Sequence, residues 1–133
     1  MRCTRLLLLA VGIFGASCGG CGSDAVKDRV AQIAELTAKA DAAETLARSL
    51  AQDMPCVSND KCSVLAFAST TAGCTKSALP FSLDSSTANA ARDATTQQNS
   101  FARQSADLQP STGACIQSLP VAQCVANRCT TGT

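Results

Sequence analysis

Apolar residues follow three different patterns along the chain. Residues 6–14 form a nearly continuous apolar run that is interrupted only by Gly12. Residues 24–54 instead carry apolar side chains at intervals of three and four, which places them on one face of an α-helix. After Pro55 the apolar segments become short and are separated by turn-forming residues and cysteines. The pattern therefore predicts one long helix followed by a smaller domain of mixed structure.

The predicted helix over residues 24–54 consists of strong helix formers, with no Gly or Pro inside it. Ser23 is its predicted N-cap, and Pro55 ends it. Glu44 and Arg48 have the spacing of an i,i+4 ion pair. The apolar face has an alanine-rich centre that permits close approach of another helix, and it comprises Val26, Val30, Ile33, Leu36, Ala40, Ala43, Ala47, Leu50 and Met54.

Two interpretations of this helix are open from the sequence. In the first, the apolar face forms a coiled-coil stalk through which the protein self-associates. In the second, the same face packs on the protein's own C-terminal domain. Residues 18–23 before the helix are rich in Gly and predict a short flexible tether.

The remaining chain, residues 55–133, predicts a small α+β domain. Short apolar segments at residues 63–69 and 77–83 suit strands, although Pro80 confines the second one to an edge or a bend. Residues 85–108 predict a second helix, capped by Ser85 or Ser86. The C-terminal segment predicts a hairpin, with strands at residues 121–126 and 129–131 and a turn at residues 127–128. The predicted fold class is therefore α+β, with short antiparallel strands and two helices.

The first residues have the order of a secretory signal peptide. Two arginines precede the apolar run, small residues follow it, and nine apolar residues are too few to span a bilayer as a helix. Gly15-Ala16-Ser17-Cys18 resembles the lipobox of bacterial lipoproteins. The resemblance implies cleavage after residue 17, a lipid on the Cys18 thiol and an outer-membrane anchor facing the periplasm. Cys21 is the alternative lipidation site, and an unlipidated, soluble periplasmic protein is the alternative interpretation of the segment.

The cysteines after residue 55 predict a disulfide framework. An exported domain that lacks Trp and Tyr and has few large apolar residues needs covalent cross-links to be stable. Fifteen pairings of six cysteines are possible, and the sequence does not choose among them. Cys21 is left over, either free, paired with another molecule or lipidated. The framework residues are Cys56, Cys62, Cys74, Cys115, Cys124 and Cys129.

Charge and composition exclude several classes of function. After loss of Arg2 and Arg5, nine basic and ten acidic side chains remain, scattered without a basic patch, so nucleic-acid binding is not expected. The absence of histidine removes the Ser-His-Asp and Cys-His catalytic sets and most catalytic zinc sites. Asn59-Asp60 lacks the spacing of a calcium loop. We therefore expect no catalytic residue, no metal site and no cofactor.

A second resemblance covers residues 56–129. The segment has two cysteines separated by five residues, with Asn-Asp before the second, then a strand, a Gly-Cys turn, a polar helix and a final CVANRC. This arrangement resembles the cysteine-rich domain of uncharacterised proteobacterial lipoproteins, and it implies no activity. The expected function is a non-enzymatic, lipid-anchored envelope protein with a protein partner or helix-mediated self-association. An inhibitor or immunity-type protein that blocks a periplasmic hydrolase through the loop at residues 58–61 or 70–76 is the alternative.

Overall fold

The computed structural model describes residues 21–52 and 54–132, with side chains from residue 24 onward. The predicted signal peptide and Cys18 lie outside the described residues. The chain folds as two helices and two separate two-stranded antiparallel sheets, so the predicted α+β class is confirmed. In chain order the elements are α1 (Cys21–Leu50), a 3₁₀ turn (Asn59–Lys61), β1 (Cys62–Ala68), β2 (Thr75–Ser82), α2 (Ala88–Asp107), β3 (Ala122–Val125) and β4 (Arg128–Thr131).

The C-terminal half of α1 packs against α2 in antiparallel orientation. Near the end of α1, Ala47 and Ala51 lie in one buried cluster with the first turns of α2. Closer to its middle, Ala40 packs with Ala102, and the Thr37 and Ser105 hydroxyls are 3.2 Å apart. Small side chains at these contacts let the helices approach closely, as the alanine-rich face predicts. This half of the helix therefore packs on the protein's own domain, as the second interpretation states.

The N-terminal part of α1 extends beyond the end of α2. Residues 24–32 are all exposed, and Ile33 is only partly covered. Val26 and Val30 continue the apolar face, with about 60% of each residue's surface in solvent (63% and 61%). The described part of the chain contains no helix that is long and apolar enough to cross a membrane.

The two ends of α1 differ from the prediction. The helix already includes Cys21, so the predicted N-cap Ser23 lies inside it. It ends at Leu50, not at Met54, and the Thr87 hydroxyl donates a 2.6 Å hydrogen bond to the Leu50 carbonyl. A helix leaves its last carbonyls without partners, and this side chain satisfies one of them. The start of α2 thus fixes the end of α1.

The β1–β2 hairpin covers one side of the helix pair. Phe67 and Phe81 are its two large buried side chains, and they pack with the alanines of both helices. Its turn contains Gly73, which has a positive φ of 70° that suits glycine, as the predicted turn requires. Pro80 lies in β2 and pairs with Val64 of β1. Each strand of a two-stranded sheet is an edge strand, which is where a proline lacking an N–H is tolerated.

The open edge of β1 is covered by amide side chains of α2. The fully buried Gln98 donates from Nε2 to the Ala68 carbonyl at 2.8 Å and accepts the Ala68 N–H at 3.1 Å. Asn99 accepts the same N–H at 2.7 Å and donates to the Ala66 carbonyl at 2.9 Å. The strand register shifts between Phe67 and Ala68, at the point where these amides bind. The polar side chains of α2 therefore make the hydrogen bonds that a third strand would make at this edge.

Candidate binding surface and cysteine cluster

Three disulfide bonds join the six cysteines of the predicted framework. Their partners are far apart in sequence, with separations of 68, 67 and 41 residues. Loops of this length make a disulfide worth roughly 4 kcal/mol, because the cross-link restricts the unfolded chain. The bonds are Cys56–Cys124, Cys62–Cys129 and Cys74–Cys115. Two of them fasten the β3–β4 hairpin to the segment that follows α1.

The hairpin turn differs by one residue from the prediction. The turn residues are Ala126 and Asn127, not residues 127–128, and both have positive φ angles (50° and 60°). This is the backbone of a type I′ turn, whose twist matches that of the flanking strands. Asn tolerates this conformation well, whereas an alanine does so at a cost.

Backbone hydrogen bonds attach the hairpin to the segment after α1. The Cys56 N–H donates to the Asn127 carbonyl at 3.1 Å, and the Cys129 N–H donates to the Met54 carbonyl at 2.9 Å. The Cys124 N–H donates to the Asn59 side-chain oxygen at 2.8 Å. Asn59 therefore serves as a structural acceptor, and the carboxyl group of its neighbour Asp60 has a lowered pKa because it accepts a hydrogen bond from the Ser58 side chain.

A shallow groove lies where this segment meets the hairpin turn. It consists of two adjoining cavities of about 320 and 390 Å³ that share Pro55 and Asn127. We call it the distal groove, because it lies just beyond the C-terminal end of α1. Its lining residues are Gln52, Met54, Pro55, Cys56, Val57, Asp84, Asn127 and Arg128.

The distal groove has an apolar rim and few charges. Met54, Pro55 and Val57 line it, and Val57 is 83% exposed although it is aliphatic. Asp84 lies 3.4 Å from the Lys61 ammonium, in a half-exposed ion pair. Exposed apolar side chains around a concave surface are typical of sites that bind a partner. The charge balance is neutral, which agrees with the absence of a basic patch in the sequence.

Of the two loops predicted as inhibitory, one lies beside the groove. The loop at residues 58–61 includes the 3₁₀ turn, and its residues 59 and 60 are exposed next to Val57. The loop at residues 70–76 lies at the opposite end of the sheet. It packs against residues 112 and 113, and its Lys76 side chain is 2.8 Å from Glu44. Only the first loop is free to contact a partner at the groove.

Three sulfur atoms form a cluster beneath the groove. The Sγ atoms of Cys56, Cys62 and Cys124 all lie within 4.8 Å of one another. Cys62 is bonded to Cys129, so the two disulfides are adjacent. Cys56 and Cys129 are buried, whereas Cys62 and Cys124 are partly exposed. Metal ions bind cysteine in its thiolate form, and a sulfur in a disulfide bond is not a thiolate.

Comparison with protein-family models, with curated proteins and with solved structures gives no match for this chain. The resemblance of residues 56–129 to other cysteine-rich domains therefore stays an expectation. The sequence indicated the framework and the loop at residues 58–61, but not the groove. Its lining comes from residues 52, 54–57, 84 and 127–128, which backbone hydrogen bonds and the disulfide pairing bring together.

Proposed function

We propose that this protein is a lipid-anchored protein of the bacterial envelope that binds a partner at the distal groove and performs no catalysis. The observation that carries the proposal is the position of the groove just beyond the C-terminal end of α1, the end opposite to the one that Cys18 precedes in the sequence. Cys18 precedes the first helical residue by three positions, and the groove begins two residues after the last one. The helix has 30 residues, which corresponds to about 45 Å.

This geometry suits the display of a binding surface away from a membrane. A lipid on Cys18 fixes the N-terminal end of α1 at the bilayer, and the helix holds the domain at a distance set by its length. The exposed part of α1 serves as the spacer. If Cys21 carries the lipid instead, the anchor adjoins the helix directly and the same geometry holds. An unlipidated periplasmic protein would need no such spacer.

The chemistry of the groove supports binding over catalysis. Among the described residues that line it, Asp84 alone carries a carboxylate, and that group is paired with Lys61 at the surface. Paired-carboxylate hydrolysis needs two such groups on either side of a substrate. The cysteines lining and underlying the groove are held in disulfides, so none of them is a free nucleophile.

A binding experiment with matched variants tests this proposal. The full-length lipidated protein, its Val57→Asp variant and its Val26→Asp variant are each used to capture proteins from detergent-solubilised envelope. Both valines are exposed, but Val57 lines the groove and Val26 lies on the spacer. The wild type and Val26→Asp should retain the same stoichiometric partner, and Val57→Asp should lose it. A partner lost only in Val26→Asp would place binding on the helix and contradict the proposal.

The inhibitor alternative is favoured by one observation, the exposed loop at residues 58–61 beside the groove. It predicts that the captured partner is a hydrolase whose activity falls in proportion to the protein added. A double Asn59→Ala and Asp60→Ala variant should then relieve inhibition. A partner without hydrolytic activity, or one inhibited equally by the variant, would exclude this alternative.

A further inference from the structure

We propose that Cys56, Cys62, Cys124 and Cys129 form a thiol–disulfide exchange site with two stable pairings, whose interconversion a low-molecular-weight thiol catalyses. In the observed pairing, Cys56–Cys124 and Cys62–Cys129 tie the hairpin to the segment after α1. In the second pairing, Cys56 bonds to Cys62 and Cys124 bonds to Cys129. In this second pairing, each cysteine is bonded to a cysteine that is close to it in the sequence.

The Cys56–Cys62 bond is possible without a rearrangement of the fold. The two Sγ atoms already lie within 4.8 Å of each other, and the Cys124 Sγ lies within the same distance of both. Five residues separate the two cysteines, and three of them form the 3₁₀ turn that brings the ends of this loop together. The sulfur of one residue is therefore already close to the disulfide bond of the other.

The Cys124–Cys129 bond is allowed by the position of both residues in the hairpin. They are directly opposite each other in the β3–β4 register. Both N–H groups point out of the hairpin, to the Asn59 side chain and to the Met54 carbonyl, so this is a non-hydrogen-bonded pair of the ladder. The Cα atoms of such pairs are about 4.5 Å apart. That spacing is within the range of roughly 4.4–6.8 Å that a disulfide requires.

The exchange can proceed with no net oxidation or reduction. A small thiolate attacks the partly exposed Cys124 sulfur, forms a mixed disulfide there and expels the Cys56 thiolate. That thiolate attacks the Cys62 sulfur, forms Cys56–Cys62 and expels the Cys129 thiolate. Cys129 then attacks the mixed disulfide on Cys124, forms Cys124–Cys129 and releases the small thiolate. Two disulfides are present before and after, and the thiol acts as a catalyst.

The two pairings differ in how the hairpin is held. In the observed one, one covalent bond fixes the hairpin to Cys56, which lines the distal groove, and a second fixes it to Cys62 at the start of β1. In the second, no disulfide joins the hairpin to Cys56 or Cys62, and it is restrained by hydrogen bonds, by packing against β1 and β2 and by the Cys74–Cys115 bond before β3. Cys56, the thiolate that the first step releases, lines the cavity of about 390 Å³ in this groove. The groove is therefore the surface whose shape the exchange would change.

The first test measures the pairing directly. The full-length protein carrying Cys21→Ser is incubated with catalytic reduced glutathione at neutral pH, quenched with acid, alkylated and cleaved. Cleavage after Lys61, Arg103 and Arg128 places the four cysteines on four different peptides. Peptide fragmentation should reveal Cys56–Cys62 and Cys124–Cys129 links with no gain of free thiol. Only the observed links, or free thiols without new links, would overturn the proposal.

The second test uses two matched variants in the same Cys21→Ser protein. Cys129→Ser leaves a Cys62 thiol beside the Cys56–Cys124 bond, whereas Cys115→Ser leaves a Cys74 thiol that belongs to no sulfur cluster among the described residues. The share of links between Cys62 and either Cys56 or Cys124 should be roughly tenfold larger in Cys129→Ser than rearranged links are in Cys115→Ser. Equal shares in the two variants, or an intact Cys56–Cys124 bond with free Cys62, would overturn the proposal.

Discussion

At the scale of single residues, buried polar side chains contribute more contacts to this fold than the amino-acid composition suggests. Gln98 is fully buried, and it makes two hydrogen bonds to the backbone of Ala68. No buried side-chain nitrogen or oxygen in the described residues lacks a partner. Gln98, a polar residue in the predicted helix, is therefore a central contact between α2 and β1.

The Gln98 contact gives the first prediction. Gln98→Ala should lower the free energy of unfolding by roughly 2–4 kcal/mol, because it opens a cavity and leaves the Ala68 carbonyl unpaired. Gln97→Ala is the matched control, since Gln97 is exposed on the same helix. Urea unfolding of both variants measures the difference. Equal stability of the two variants would contradict the structural role of Gln98.

Glu44 is the most strongly paired charge of the described residues. Its carboxylate is 14% exposed and accepts hydrogen bonds from Arg48 at 2.7 and 2.9 Å, as the i,i+4 spacing predicts, and lies 2.8 Å from Lys76 on β2. Burial raises the pKa of Glu44, but hydrogen bonds from Lys76 and Arg48 outweigh it, so the pKa is lowered from 4.5. The Arg48 guanidinium also stacks 4.6 Å from the centre of the Phe67 ring.

The lowered pKa of Glu44 predicts a pH dependence of stability. A carboxyl with a lowered folded pKa stabilises the protein above its unfolded pKa, and this stabilisation is lost as pH falls below about 4.5. Glu44→Gln should cost roughly 1–3 kcal/mol at neutral pH. The gap between variant and wild type should close in acid. Glu35→Gln, which breaks a solvent-exposed pair with Lys39, is the control and should show little gap at any pH.

At the scale of elements, the periodicity of the sequence predicted the type and the order of the helices and strands better than it predicted where they end. The long helix, the two central strands, the second helix and the terminal hairpin all appear in the predicted order. The observed ends differ from the predicted ones where tertiary contacts determine them. One example is Leu50, whose carbonyl accepts a hydrogen bond from Thr87. Ser85 caps a turn before α2, because its hydroxyl accepts the Thr87 N–H, and the helix itself begins at Ala88.

The hairpin turn provides a prediction at this scale. Ala126 has a φ of 50°, in the left-handed region that glycine adopts without strain. Ala126→Gly should therefore raise the free energy of unfolding by about 1 kcal/mol. The same substitution at Ala42, exposed in α1, should lower it by about 1 kcal/mol. Calorimetric or denaturant unfolding checks both signs, and a loss in both variants would contradict the turn assignment.

At the scale of the whole molecule, the groove could not be predicted because it depends on disulfide pairing. Fifteen pairings are compatible with the six cysteines. Local pairing within CVSNDKC and CVANRC would be the simplest choice from sequence, yet the structure joins each cysteine of one segment to a cysteine of the other. That cross-pairing and backbone hydrogen bonds together hold residues 54–57 next to Asn127. The candidate anchor at Cys18, in contrast, is a local motif that the sequence shows without a fold.

The central claim is that Cys18 anchors the spacer helix and the distal groove to a membrane. Mass spectrometry of the mature N-terminus, on protein purified from a bacterial envelope, tests it most directly. We expect a chain that begins at Cys18, with a diacylglycerol on its thiol and an acyl group on its amine. An unmodified Cys18, or a mature chain that begins at another residue without lipid, would contradict the account.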